Sequence, residues 1–368
     1  MNKGNIRERF EKIIVPLIAI LGGFLTGIII LLLTGKNPIV MIQSIIKGTI
    51  GFDLRLSMYN SRLLGEFITA SLPLILTGLS FAFAFRTGLF NIGTEGQLIV
   101  GSYAAIAIGF LVDWPRYFHL PLVIIASILA GALWGFIPGY LKAKWNVHEV
   151  VTTIMLNYTA MYTSNYLLRF FPMSNLMRTV PIPFSATLHS PLLQDLTNNS
   201  RLHWGFILVI FAVIIYWFII NRTAFGYELR AVGHNPHASK YAGMKVRRNT
   251  ILSMMIAGSF AGLAGALVAV GMFDFGRILY AFENYGLNGL GVALVGNNTA
   301  LGVFLSGLLF GGLTSSQPHM QNVGIPKEIG QIIQASIVVF VAMQYGIRKL
   351  IAIRSTKTRN EMPTEEDS

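Results

Sequence analysis

Apolar runs of close to twenty residues, separated by short polar breaks, recur along most of the chain. That is the length an α-helix needs to cross the roughly 30 Å hydrocarbon core of a bilayer. The pattern predicts an all-α polytopic membrane protein of about ten transmembrane helices. They are 13–33, 67–85, 98–112, 120–141, 150–171, 204–220, 250–272, a short one within 283–298, 301–313 and 329–345. Two of them are interrupted. RTGLFNIGTEGQ (86–97) breaks the pattern before the third, and ENYGLNGLGVALVG (283–296) is too short and Gly-rich for an ordinary span. Both read as broken or re-entrant segments. Such a pair, one in each half of a chain, points to the binding region of a transporter. Gly131, Gly135 and Gly139 in the fourth span, and Gly258, Gly262 and Gly265 in the seventh, predict close helix contacts. Residues 34–66 read as a mixed loop holding an amphipathic helix, and 172–203 as a long external loop. Neither shows a functional pattern.

The longest polar break, 221–248, carries six Lys/Arg against one acid, Glu228. Inside it a short helix is legible from chemistry alone. Asn235 suits an N-cap, because its side-chain oxygen accepts a free amide of the first turn. Pro236 falls at the first helical position, where its missing N–H is not needed. Residues 237–242 carry the helix and Gly243 ends it in the left-handed conformation. A capped two-turn helix in a basic loop is built to press against another protein.

Composition agrees with the pattern: 53% of residues are hydrophobic, only 12% are charged, and mean hydropathy is +0.60. The net charge of +12 does not imply nucleic-acid binding, since Lys and Arg collect on the cytoplasmic side of membrane proteins. With ten crossings, eighteen of the 28 Lys and Arg share a side with the termini: four before the first span, Arg86, Lys142 and Lys144, six in the central loop, and five in the C-terminal segment. Both termini are therefore expected in the cytoplasm. The domain plan is a cytoplasmic N-terminus (1–12), a transmembrane domain (13–345) with cytoplasmic loop 221–248, and a polar, disordered cytoplasmic tail (346–368). The apolar run after Lys12 is too long for the core of a signal peptide and reads as an uncleaved span. Absence of Cys excludes disulfides and thiolate chemistry. His148, His234 and His237 lack a second ligand at metal spacing, so no metal site is expected. There is no HExxH, GxSxG or GxxxxGK[ST], which leaves no visible machinery for a protease or lipase. Any ATP must be hydrolysed by another polypeptide.

Polar residues inside spans carry the candidate chemistry. Asn91, Glu95 and Gln97 lie in the first interruption and Asn288 in the second. A carboxylate at bilayer depth costs about 2.5–3.5 kcal/mol on insertion scales, so Glu95 should face protein or water. It either lines a pathway, caps the broken helix, or pairs with Arg86. The fifth span is unusually polar. Tyr158, Tyr162 and Asn165 share one helical face, and Thr153, Asn157 and Ser164 a neighbouring one. These groups either glue helices together or line a cavity for a polar, ring-containing solute. The cavity reading assigns Asn91, Glu95, Gln97, Thr153, Asn157, Tyr158, Tyr162 and Asn288 to a substrate pathway.

Three segments, FRTGLFNIGTEGQ (85–97), NVHEVVTTIMLNYTA (146–160) and FGYELRAVGHNPHASKYAGM (225–244), resemble the membrane permease subunits of ABC importers of the branched-chain amino acid, ribose and nucleoside group. The likeness is strongest to the sugar/nucleoside branch, which works with a basic-membrane-protein-type lipoprotein receptor, and covers roughly residues 10–345. The resemblance implies a second permease subunit, ATP-binding subunits that hold the ATP-Mg, no cofactor on this chain, and a place in the cell membrane. It also implies that the loop helix docks on the ATP-binding subunit. Glu228, Arg230, Gly233, Asn235, Pro236, Ala242 and Gly243 then carry the coupling. The nucleoside-branch likeness and the Tyr/Asn face of the fifth span favour nucleosides or related simple sugars as solute. The rivals are a proton-coupled secondary transporter, with Glu95 as coupling group, and a membrane-embedded scaffold or receptor.

Overall fold

The computed structural model describes residues 3–343. Its helices are α1 (Lys3–Leu33), α2 (Pro38–Ile50), α3 (Ser61–Arg86), α4 (Thr94–Leu111), α5 (Arg116–Trp145), α6 (Glu149–Leu168), α7 (Pro191–Leu196), α8 (Gly205–Arg222), α9 (Ala224–His234), α10 (Pro236–Tyr241), α11 (Val246–Ala266), α12 (Tyr285–Val295), α13 (Ala300–Asn322) and α14 (Glu328–Ala342). Two small antiparallel pairs lie outside them: β1 (Phe52–Asp53) with β2 (Met58–Tyr59), and β3 (Met173–Asn175) with β4 (Arg178–Thr179). The chain divides into two units, residues 1–38 with 328–368, and residues 39–327. In the first, α1 lies along α14, with Gly22 and Gly23 admitting Phe340, Ile333 and Ile337.

The second unit is organised on α3. Every residue from Ser71 to Ala84 is buried, as expected of a helix that is apolar all round. Asn60 starts it by accepting the Arg62 amide, and the helix runs unbroken through Pro73. By contrast α5 and α8 turn apolar stripes outward. Ile125, Leu129 and Leu133 form one, and Ile207, Phe211, Ile214 and Phe218 the other. Those stripes suit lipid.

The two glycine series noted in the sequence meet at Gly131, while Gly135 and Gly139 lie on Met254 and Ile251 of α11 and Gly265 lies on α4. Gly131 of α5 lies on Gly258 and Gly262 of α11, and Gly101 of α4 lies on Gly262 as well. Ser127 Oγ donates to Gly101 O at 2.7 Å across this three-helix contact. Helices that approach this closely gain dispersion contacts which lipid does not supply. After Ala266 the helix loosens into a π-helical stretch, Leu267–Phe273, ending at Asp274 in left-handed conformation. Residues 270–279 pair with the 172–203 loop: Thr179, Ile182 and Leu188 donate through their amides to Gly276, Asp274 and Val270.

Among the described residues seven helices are long and apolar enough by themselves to cross a membrane. Three further apolar helices, α2, α12 and α14, have 13, 11 and 15 residues. At 1.5 Å per residue, α12 is only about 16 Å long. The expected fifth span, α6, has 20 residues but falls short in apolar content. The ninth is longer than its apolar run, since α13 continues through the polar residues to Asn322. Residues 34–66 hold α2 and the β1–β2 hairpin. The tail 346–368 lies outside the described residues.

Candidate functional site

The loop between α8 and α11 folds into two helices, where the sequence pattern predicts one. Thr223 caps α9 by accepting the Gly226 amide at 3.0 Å. Leu229 and Val232 bury one face of α9, and Gly233 sits directly on the backbone of Arg86, Thr87 and Gly88 at the end of α3. Glu228 accepts from Asn249 Nδ2 of α11 at 2.7 Å, while Arg230 Nε donates to Gly226 O within α9. Thr87 and Ser253 join the same ends of α3 and α11 through their hydroxyls at 2.8 Å. So α9 is seated on the bundle.

The second helix, α10, is the one legible from sequence. Asn235 Oδ1 accepts the Ala238 amide at 3.0 Å, Pro236 is the first helical residue, and Gly243 has φ of +82°. It ends one residue earlier than expected, with Ala242 as its C-cap. Nothing lies within 4 Å of a Cβ placed on Gly243, and Tyr241 is 95% exposed. All of α10 except Ser239 faces outward from this unit.

The two interruptions interlock. The Glu95 carboxylate accepts the backbone amides of Glu283 (3.1 Å), Asn284 (3.0 Å) and Gly286 (2.5 Å). These amides open α12, a helix start whose N–H groups have no intrahelical acceptor and which favours a negative charge. Glu95 thus caps a broken helix, but the other one, 190 residues away in sequence. Arg86 does not pair with it. The guanidinium donates instead to the carbonyl of Asn298 at 2.8 Å, which also takes the Tyr216 hydroxyl at 2.8 Å, fixing the turn between α12 and α13. Asn297 and Asn298 make that turn with φ of +52° and +50°.

Asn91 and Gln97 bond each other side chain to side chain. Asn157 of α6 grips the same break. Its Oδ1 accepts the Gly96 amide at 2.8 Å, and its Nδ2 donates to Ile92 O at 3.0 Å. Thr153 packs where a side chain on Gly93 would stand. Asn91, Glu95, Gln97, Thr153 and Asn157 are therefore all buried, and the face of Thr153, Asn157 and Ser164 is the packed face of α6. Tyr158 and Tyr162 occupy the outer face, 48% and 65% exposed, continued by Tyr166. The run of three exposed hydroxyl-bearing rings sets this face apart from the outward stripes of α5 and α8. Asn165 turns toward the 274–284 segment, exchanging hydrogen bonds with both backbone groups of Leu279. Asn288 is half-buried on α12.

Arg277 and Glu283 are not singled out by the sequence pattern. They form a two-pronged ion pair, and Arg277 lies 3.8 Å over the Phe273 ring. The available signal was two opposite charges six residues apart in a stretch otherwise rich in aromatic and aliphatic residues, FDFGRILYAFEN.

Compared with known proteins, residues 63–342 match the family described as branched-chain amino acid transport system, permease component. The guanosine ABC transporter permease protein NupP of Bacillus subtilis is 46% identical over 96% of this chain and 99% of its own length. The nucleoside ABC transporter permease protein NupB of Lactococcus lactis is 38% identical, over 97% of this chain and 100% of its own. The glucose ABC transporter permease protein TsgB13 of Haloferax volcanii is 32% identical over 82% of each. A family match across most of the bundle, with full-length relatives at these identities, makes the chain a member of the branched-chain amino acid transport system permease family.

Proposed function

We infer that this chain is the membrane permease subunit of an ATP-driven importer of nucleosides, moving its solute by alternating access. The observation that carries the reading is the near end-to-end similarity to the guanosine and nucleoside permeases NupP and NupB. The glucose permease among its relatives has a substrate with a hydroxyl-bearing ring too. The chain crosses the cell membrane about ten times, with both termini cytoplasmic. It works with an ATP-binding subunit that holds the ATP-Mg, a second permease copy or homologue, and an external substrate-binding lipoprotein.

The geometry supports a division of labour. Exposed α10 meets the ATP-binding subunit, while α9 passes displacement to the ends of α3 and α11 through Gly233 and the Glu228–Asn249 bond. The tyrosine face of α6 lines the pathway. Asn91, Glu95, Gln97, Thr153 and Asn157 hold the wall behind it, and Asn288 completes it from α12.

The test is reconstitution of the complete importer in vesicles, followed by uptake of labelled guanosine. ATP-dependent accumulation is expected, unaffected by collapse of a proton gradient. Uptake that needs the gradient and ignores ATP would make the proton-coupled reading correct. That rival rests on Glu95, both of whose oxygens already accept backbone amides.

A second prediction concerns the coupling helix. Val at position 243 must adopt a left-handed conformation that costs about 1–2 kcal/mol, without losing any packing. Gly243→Val should leave insertion and folding intact, reduce co-purification of the ATP-binding subunit several-fold, and lower uptake in parallel. Unchanged co-purification with normal uptake would rule α10 out as the coupling element.

A further inference from the structure

Between α4, α6 and the 274–284 segment lies a small half-open cavity of about 30 Å³. Whole-ligand sites commonly measure about 300–1,000 Å³, and a water-sized group needs roughly 10–15 Å³, so this cavity takes a pair of hydroxyl groups rather than an entire solute. None of the eight residues assigned to the pathway above lines it. Its polar lining is Ser102, Tyr103, Ser164, Asn165, Arg277 and Glu283, and the remaining wall is largely aliphatic, with Phe275. We propose that this cavity binds the vicinal diol of a neutral sugar ring, the ribose of a nucleoside, with the Arg277–Glu283 pair as its recognition element. The proposal rests on the nucleoside-importer reading for the identity of the solute.

The chemistry of the pair selects this ligand class. Its net charge is zero, so it attracts neither an anion nor a cation strongly. A guanidinium has five N–H donors and a carboxylate about four acceptor positions. The ion pair engages two of each, leaving donors on Arg277 and acceptors on Glu283. Adjacent ring hydroxyls meet both needs, each donating to the carboxylate or accepting from the guanidinium. Hydroxyl-bearing side chains from Ser102, Tyr103 and Ser164 extend the same capacity along the wall. A hydrogen bond to a charged group discriminates more strongly than a neutral one, because removing its partner leaves the charge poorly solvated.

The pair is also held in place. Arg277 rests on the Phe273 ring at 3.8 Å, and its backbone bridges to Arg178 in the 172–203 loop. The Glu283 amide is fixed by the Glu95 carboxylate, and Asn165 fixes Leu279 between them. With both charged groups pre-placed, little of the protein has to be ordered when the two hydroxyls of a ring insert between them. A purely structural ion pair would brace the segment equally well, but its loss would weaken every solute alike.

Equilibrium binding to the detergent-purified importer, without its receptor, separates these roles. The probes are guanosine, 2′,3′-dideoxyguanosine and free ribose. Glu283→Gln keeps the size of the side chain and the backbone amide bonded to Glu95, and should weaken guanosine about tenfold while changing the dideoxy analogue less than about twofold. Ser164→Ala, a smaller change in the same cavity, should weaken guanosine selectively but less, and serves if Glu283→Gln does not assemble. Equal effects on both nucleosides, or none, in the variants that assemble would overturn the proposal. Binding of ribose but not guanosine by the parent, with the same dependence on Glu283, would keep the diol site and refute the nucleoside reading. Guanosine uptake by an importer whose binding ignores the 2′,3′-diol would do the reverse.

Discussion

Replacing Glu95 with Ala is expected to abolish recovery of folded protein, making it the most damaging single change at either interruption. Three backbone amides that open α12 would lose their acceptor at once. Each donor left unsatisfied in a buried site costs about 1–3 kcal/mol, so the combined loss is several kcal/mol. Small domains are stable by only about 5–15 kcal/mol. Glu95→Gln should fall between, because its one carbonyl oxygen can serve some of the amides while its NH₂ opposes others. Size-exclusion profile and thermal unfolding in detergent are the measurements. Parent-like stability of Glu95→Ala would show that the clamp contributes little. A Glu95→Gln protein that is fully stable and transports normally would further remove Glu95 from any proton-coupling role.

The second large effect is expected at the crossing of α4, α5 and α11. A Leu at position 262 would meet the Ser127 carbonyl and the Gly131 backbone, with the Gly101 backbone on another side. Flexible side chains can move aside, but these neighbours are main chain. Overpacking a core usually costs about 1–3 kcal/mol, occasionally more, and three helices must separate to relieve it here. Gly262→Leu should therefore give protein that aggregates on extraction, and Gly262→Ala a milder drop in unfolding temperature. Leu133→Ala, on the outward face of α5 where the side chain is 63% exposed, should behave like the parent. If Gly262→Leu does so too, the close crossing is absent in the working protein.

Legibility followed range. The α10 helix was readable because its determinants, Asn235, Pro236 and Gly243, lie within nine residues and act locally. The glycine series in α5 and α11 were readable as close-contact faces, although nothing local said which helix each glycine would meet. Its companion α9 was missed because Gly226 and Gly233, required by close approach to α8 and α3, look like helix breakers in isolation. Polar residues Thr314 to Asn322 masked the extension of α13. In α6 the sequence marked both polar faces but could not tell the packed one, with Thr153 and Asn157, from the open one, with Tyr158 and Tyr162. That distinction depends on where the 86–97 turn lies in space. The Arg277–Glu283 pair is illegible in the sequence for the same reason: its setting comes from α4, α6 and the 172–203 loop.

The clamp on α12 has a consequence for how the protein is made. Glu95 and the amides it accepts are separated by 188 to 191 residues. At about 5–20 residues per second, the ribosome needs roughly 10–40 s to deliver them. Throughout that interval the first half of the bundle sits in the membrane with an uncapped carboxylate, and α12 is too short to enter by itself when it emerges. Insertion of the second half thus becomes a docking event on a waiting template, and a nascent chain stopped before residue 283 should be an early target for membrane proteolysis.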